Sequence, residues 1–196
     1  MKEYRHVVAD NPVIAGVRDM GQFSLALKSL VECIFLMTGD IFTIEDCVKE
    51  AREYHKRIFI QIDLIKGIAS DKEGIQYLAK RIKPDGIIST KGHLIKLAKS
   101  EKLLAVQHFF LIDTHAYETS LKSILDTQPD AVGIMPGLIP RVIQDMKTNI
   151  KCPIIASGLI RSEQEIRDVL DAGAQAVLIG DEKIWTIDIK PKKTGD

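Results

Sequence analysis

A closed eight-stranded α/β barrel, the (β/α)8 TIM-type fold, is what this 196-residue sequence predicts. Three observations carry that expectation. A short apolar run, a loop and an amphipathic helical stretch recur about eight times between Val13 and Gly180. The runs are rich in Ile and Val, as parallel strands covered by helices on their outer face are. The last two runs are followed by Gly158 and Gly180, and in such barrels the ends of the final two strands commonly build a phosphate site.

The strands are expected at 13–17, 33–38, 58–64, 86–90, 104–110, 131–135, 153–157 and 176–179. Between them a helical period returns: Ile75, Leu78, Ala79 and Ile82 share one face, as do Ile166, Val169, Leu170 and Ala174. Thr43-x-x-Asp46, Ser70-x-x-Glu73 and Ser162-x-x-Glu165 read as capping boxes that start helices, and Gly173 marks a stop. After Gly180 the stretch from Asp181 to Thr186 is too short for a full outer helix before the charged tail 190–196, so the eighth helix is expected to be reduced or missing. Its loss would expose the apolar flank of the first and last strands, and such a patch normally meets a partner. A homodimer with Trp185 near the seam is the expectation. No linker or compositional shift divides the chain, which predicts a single barrel domain over 1–196.

Lys and Arg total 27 against 27 for Asp and Glu, so no global charge draws the chain to nucleic acid or a membrane. The three cysteines, Cys33, Cys47 and Cys152, have neither CxxC nor ligand spacing, which predicts buried reduced thiols and no metal site. The amino-terminal stretch is interrupted by charges and Pro12, unlike a signal peptide, and no run approaches a membrane span. A cytoplasmic protein without membrane association is expected. There is no GxGxxG, Walker loop, HExxH or nucleophile elbow, and no cofactor is expected.

In such a barrel chemistry gathers at the carboxyl ends of the strands. In the third run, strict alternation turns Phe59, Gln61 and Asp63 toward the axis. An inward carboxylate needs a partner, either a ligand or a salt bridge to Lys91 or Lys66. Lys91, beside Ser89 and Thr90, reads either as an anion partner or as a solvated loop lysine. His108 near the end of the fifth strand reads as a satisfied interior group, a hydrogen-bond donor to ligand or a metal ligand. Gly137 supplies permissive backbone at the sixth strand's end, or simply a tight turn. Ser157, Gly158 and Gly180 form the strongest set, since glycine lets backbone N–H groups approach an oxyanion and a following helix start adds a favourable dipole. The bland alternative is that these glycines only turn the chain.

With these residues in view, the chain resembles the glycerol uptake operon antiterminator regulatory family, the glycerol-3-phosphate-responsive antiterminators, over nearly its whole length. The resemblance is carried by Ile14-Ala15-Gly16-Val17-Arg18-Asp19, Ile62-Asp63-Leu64-Ile65-Lys66-Gly67, Asp85-Gly86-Ile87-Ile88-Ser89-Thr90-Lys91, Gln107-His108-Phe109-Phe110-Leu111-Ile112-Asp113, Ile134-Met135-Pro136-Gly137 and Pro153-Ile154-Ile155-Ala156-Ser157-Gly158-Leu159-Ile160. It implies a barrel without catalysis that binds glycerol 3-phosphate and acts on leader mRNA so that transcription passes a terminator. Four positions depart from the family's pattern. His108 stands for an arginine, Gly133 for a glutamate, Ser157-Gly158 for a double glycine, and Leu178-Ile179-Gly180-Asp181 for a hydroxyl-rich strand end where Asp181 would repel a phosphate.

The leading expectation is therefore a regulator that binds glycerol 3-phosphate or a related phosphorylated small molecule, with Gly158 and Gly180 at the phosphate and Asp63 and Lys91 near its hydroxyl end. Its mRNA partner follows from the resemblance alone, and the sequence does not mark an RNA-binding surface. The alternative is a phosphosugar isomerase or aldolase with Asp63 or His108 as base and Lys91 as electrophile. A third is an interaction module that has lost its ligand.

Overall fold

The protein's structure, a computed structural model, describes residues 11–189; the segment up to Asp10 and the charged tail from residue 190, both read above from sequence, lie outside the described residues. Eight parallel strands close into a ring in chain order: β1 (Val13–Val17), β2 (Cys33–Leu36), β3 (Arg57–Gln61), β4 (Gly86–Ser89), β5 (Leu104–Phe110), β6 (Ala131–Met135), β7 (Ile154–Ser157) and β8 (Ala176–Ile179). Closure runs through β8 against β1, with Val13 opposite Val177 and Ala15 opposite Ile179. Seven helices surround the ring among the described residues: α1 (Met20–Lys28), α2 (Ile44–Glu53), α3 (Lys72–Tyr77), α4 (Gly92–Ser100), α5 (Thr114–Thr127), α6 (Pro140–Asn149) and α7 (Glu163–Asp171). α3 continues through a widened π turn, Leu78–Ile82.

Alternation along each strand divides the apolar residues into two clusters. Outward residues such as Ala15, Ile34, Ile60 and Ile134 pack under Leu27, Val48, Ile75, Leu94, Ile143 and Val169 of the helices. Inward residues fill the barrel itself, and the ladder registers stagger the strands so that alternate strands contribute to each layer. Ile14, Phe59, Val106 and Ile155 form one layer, and Phe35, Ile88, Gly133 and Leu178 the next toward the carboxyl ends. Above these the interior turns polar, with Gly16, Gln61, His108 and Ser157 as the third layer. Met37 and Met135 extend β2 and β6 one level higher.

The expected third strand is too long. Its ladder with β4 stops at Gln61 opposite Ile88, and Ile62–Leu64 turn into a 3-10 segment. The break goes with a new set of partners for Asp63: its carboxylate accepts hydrogen bonds from Ser89 Oγ at 2.8 Å and from the Thr90 N–H at 3.1 Å at the end of β4. β2 and β4 likewise stop before residues 38 and 90, and β7 begins after Pro153, which has no N–H to give a ladder. Of the three capping boxes, only Ser162 with Glu165 forms in full. Asp71, not Ser70, caps α3 by accepting from Gly74 N, and the Thr43 hydroxyl is diverted to Asp40.

The eighth helix is replaced by a single turn, Ile184–Thr186. The flank expected to be exposed is in fact covered, because Trp185 is fully buried there, its Nε1–H donating to Ile179 O at 2.9 Å. The same turn accepts from Leu30 N through Trp185 O, so Trp185 is a plug within the chain and not a residue at an open seam. Cys33 and Cys47 are buried and Cys152 half-buried, all as free thiols. No helix among the described residues is long and apolar enough to cross a membrane.

Candidate functional site

The two strand-end glycines open onto the same space. A cavity of 350 Å³ at the carboxyl end of the barrel is bordered by Gly158 and Gly180, by Ser157 below them, and by Arg18, Arg161 and Asp181 at the rim. Gly158 has φ +81°, a conformation that resists any L side chain, and a Cβ placed there would meet nothing nearer than Met135 Cγ at 4.0 Å. A Cβ on Gly180 would meet only Gly16 O at 3.9 Å. Both backbones therefore face open volume, where a small group can approach them closely.

Gly137 has a different task. A Cβ there would lie 2.8 Å from Ile160 Cδ1 and 2.9 Å from Ser157 N, so glycine permits the β6–α6 turn to press against the end of β7. Its N–H donates to Gly158 O at 3.0 Å and so fixes that peptide from behind. Gln22 ties the other side together, accepting from Arg18 N at 3.0 Å and donating to Gly180 O at 3.3 Å. Neither Arg18 nor Arg161 has a carboxylate within ion-pair distance among the described residues, which leaves two cations for an anionic ligand. Asp181 is exposed and its Oδ1 accepts from Lys183 N at 3.1 Å, so the rim's formal charge is one positive overall.

Next to this cavity, around Ser157, lies an unusual concentration of unpaired polarity. Among the described residues, the buried side-chain atoms with no hydrogen-bond partner are Gln61 Oε1, Asp63 Oδ1, both ring nitrogens of His108 and Ser157 Oγ. Three of these residues share the polar interior layer, and Asp63 stands just beyond the end of β3. Buried polar atoms are ordinarily paired, so a cluster of exceptions marks a place where a ligand or ordered water belongs. Asp63 Oδ1 also lies 3.4 Å from Lys91 Nζ, which realises the salt-bridge alternative with Lys91 rather than Lys66. Lys91 itself remains half-exposed.

His108 is not a cation here. Burial pushes its imidazole from 6.5 down to about 4, against a smaller upward pull from Asp63. Its ring sits 6.2 Å from that of Phe35 and lies where a side chain at Gly133 would go, since a Cβ on Gly133 would fall 2.1 Å from His108 Cδ2. The two residues are opposite one another in the β5–β6 ladder. Two of the sequence departures are thus one structural event, a ring accommodated by the loss of its cross-strand neighbour's side chain.

The sequence reading found Gly158, Gly180, Ser157, Asp63, Lys91 and His108 at one end of the barrel, where the structure gathers them. Gly137 stands behind them. The reading missed Arg18, Arg161 and Gln22, whose signal was only that Arg18 and Arg161 follow strand ends, and it noted Gln61 as inward without assigning it a role. No cluster of three or more His, Cys, Asp or Glu side chains with metal-binding geometry occurs among the described residues.

A family model described as "Glycerol-3-phosphate responsive antiterminator" matches residues 13–185. The protein YgcP of Escherichia coli K12 is 33% identical over 182 residues, covering 93% of this chain and 95% of that one. Among solved structures, the glycerol uptake operon antiterminator regulatory protein of Listeria monocytogenes superposes with a TM-score of 0.86 at 31% identity, over 90% of this chain and 95% of that one. A glycerol uptake operon antiterminator-related protein of Thermotoga maritima does so with a TM-score of 0.79 at 27% identity, over 89% and 98%.

Proposed function

The chain belongs to the glycerol-3-phosphate responsive antiterminator family, and from that membership and the cavity at the barrel mouth we propose that it is a regulator that binds glycerol 3-phosphate or a similar small phosphorylated ligand. The observation that carries the reading is the pair of uncovered glycine backbones, Gly158 and Gly180, facing one cavity bordered by two guanidiniums that make no salt bridge among the described residues. A phosphate seated there approaches main chain that no side chain shields, and Arg18 and Arg161 supply charge with no salt bridge to break among the described residues, although the Glu165 carboxylate, which accepts from Arg161 N at 2.7 Å, draws on the field of Arg161.

The ligand would change the protein through the connections already made around that cavity. Gln22 joins the loop after β1 to Gly180, and the Gly137 N–H joins the loop after β6 to Gly158. Occupying the cavity favours whichever loop arrangement holds the ligand best, and only such unequal binding can bias a second site. The output we propose is control of glycerol operon expression by antitermination at an mRNA leader, in a cytoplasmic protein. Catalysis is disfavoured by the same geometry. Of the two candidate bases, Asp63 is already engaged by Ser89, Thr90 and Lys91, and burial that pushes His108 down to about 4 leaves it a weak base near neutral pH.

Thermal unfolding with glycerol 3-phosphate, inorganic phosphate and unrelated phosphosugars tests the binding step, because a ligand of the folded state raises the midpoint by mass action. No shift at millimolar concentration with any of them would refute it. Retardation of a glycerol-operon leader RNA in a mobility-shift assay, changed by the ligand and weakened by salt, tests the output.

A further inference from the structure

Charge that cancels over the whole chain does not cancel locally. At the amino end of the barrel, opposite the cavity at Gly158 and Gly180, a recess of 670 Å³ opens between the ends of α2 and α4 and the turns that lead into β4, β5 and β6. Arg52, Lys83, Lys99 and Lys102 line it, against Asp85 and Asp130. We propose that this basic recess holds the phosphodiester backbone of a single-stranded RNA, with Arg52, Lys83 and Lys102 as the contacting cations. The inference rests on the RNA output proposed above and adds where on the molecule the RNA lies.

Both carboxylates of the recess are already used. Asp85 accepts from Ile58 N at 3.0 Å and pairs with Arg57 at 2.8 Å, while Asp130 accepts from Ala105 N at 2.9 Å and lies 3.5 Å from Lys99 Nζ. Arg52 gives a hydrogen bond to Lys83 O, and neither it nor Lys83 nor Lys102 makes a salt bridge among the described residues. A polyanion can therefore take three cations without displacing a carboxylate. The backbone singles out the two lysines. Lys83 has φ +58° and Lys102 φ +65°, a left-handed conformation normally given to glycine or asparagine where a helix ends. The turns themselves would favour those residues, so what lysine adds at both places is its charge.

The form of the recess selects a chain of phosphates over a single small anion. Arg52, Lys83 and Lys102 are long and exposed, which suits a backbone that continues past the recess better than an anion held by buried donors. Tyr54 at the end of α2 is 45% exposed at the same end of the barrel and offers a ring on which a base can stack. β4 runs from this end to the other: Lys83 and Asp85 stand before it, and Ser89 at its last position holds Asp63 at the mouth. RNA in the recess and a phosphorylated ligand at Gly158 and Gly180 would occupy opposite ends of the barrel and would not compete.

Fluorescence anisotropy of a labelled glycerol-operon leader RNA, titrated at stepped salt with the full chain, decides the matter. The test variant carries Lys83→Asn with Lys102→Asn, and a control carries Lys72→Gln with Lys122→Gln, which removes the same charge from exposed positions away from the recess. Asparagine accepts the left-handed backbone, so the test variant should melt no lower than the wild type and should keep the wild type's thermal shift with glycerol 3-phosphate. Its RNA affinity should fall at least about ten-fold at low salt, and the slope of log affinity against log salt should flatten by about 1.4, since each phosphate contact on a single strand contributes about 0.7. The control should bind RNA as the wild type does. Unchanged RNA affinity in the test variant, an equal loss in the control, or loss of the ligand's thermal shift along with the RNA would each overturn this surface and leave the RNA output standing. Unchanged affinity with a lower melting midpoint would, besides overturning it, assign the lysines to the helix ends. A wild-type chain with no affinity for the leader RNA would overturn the output itself, and the surface with it.

Discussion

Acidification should unfold this protein partly through one imidazole, and the size of the effect follows from where His108 sits. The ring is buried without a hydrogen-bond partner, and burial pushes it from 6.5 down to about 4. The unfolded chain therefore takes up the proton more readily than the folded one. Stability contributed by the neutral ring is complete above pH 6.5 and is lost as pH falls through the range down to about 4. Linkage between those two values gives a loss, relative to pH 8, of about 1 kcal/mol at pH 5.5 and about 2–3 kcal/mol at pH 4.5. The measurement is urea unfolding of the wild type and of His108→Gln at the three pH values. Subtracting the variant removes the contribution of every other titrating group, so the wild-type advantage should shrink by these amounts. A difference that stays constant to within about 0.5 kcal/mol between pH 8 and pH 4.5 would refute the placement of a neutral, unsolvated imidazole in the barrel.

Other expectations concern single contacts. Gly158→Asp puts a strained residue and a negative charge at the open backbone, and calorimetry should find binding of any phosphorylated ligand abolished; retained affinity would locate the phosphate elsewhere. Gly133→Ala places a Cβ on the His108 ring and should cost about 1–3 kcal/mol in chemical denaturation, most of it recovered in the double variant with His108→Ala. Additive effects of the two substitutions would show that the residues do not compete for one space. Trp185→Ala should cost about 3–5 kcal/mol, since it empties a fully buried site and removes the indole N–H bond to Ile179 O; a loss below about 1 kcal/mol would mean the turn is not holding the ring closed.

The strands were legible because each is a short β-branched run between loops, and burial on both faces leaves little else such a run can do. Alternation then failed at one informative place. It extended β3 through Asp63, but a carboxylate within reach of the Ser89 hydroxyl and the Thr90 N–H gains more from turning toward them than from staying in an extended strand. The helix starts misread at Ser70 and Thr43 have a similar cause: several short polar side chains competed for the same free N–H groups, and tertiary neighbours such as Asp40 decided which took them. Gly158 and Gly180 were found by their position at strand ends, yet sequence could not separate them from Gly137, whose difference is a neighbour 2.8 Å away from a different loop. The pairing of His108 with Gly133 was hidden for the same reason. The two positions are 25 residues apart in the chain, and only the ladder register makes them one site.

The Trp185 turn bears on how the chain is made. Leu30 hands its N–H to Trp185, and Gln22 reaches Gly180 across 158 residues, so the first strand waits for nearly the last before it has a neighbour on that side. A nascent chain paused anywhere before β8 leaves the ribosome with two bare sheet edges, a template for joining other chains. The cavity proposed to hold an anion is split across that closure, with Arg18 at one edge and Gly180 at the other. If a phosphorylated ligand binds there as proposed, only a finished ring captures it, and partial products of translation do not answer to it.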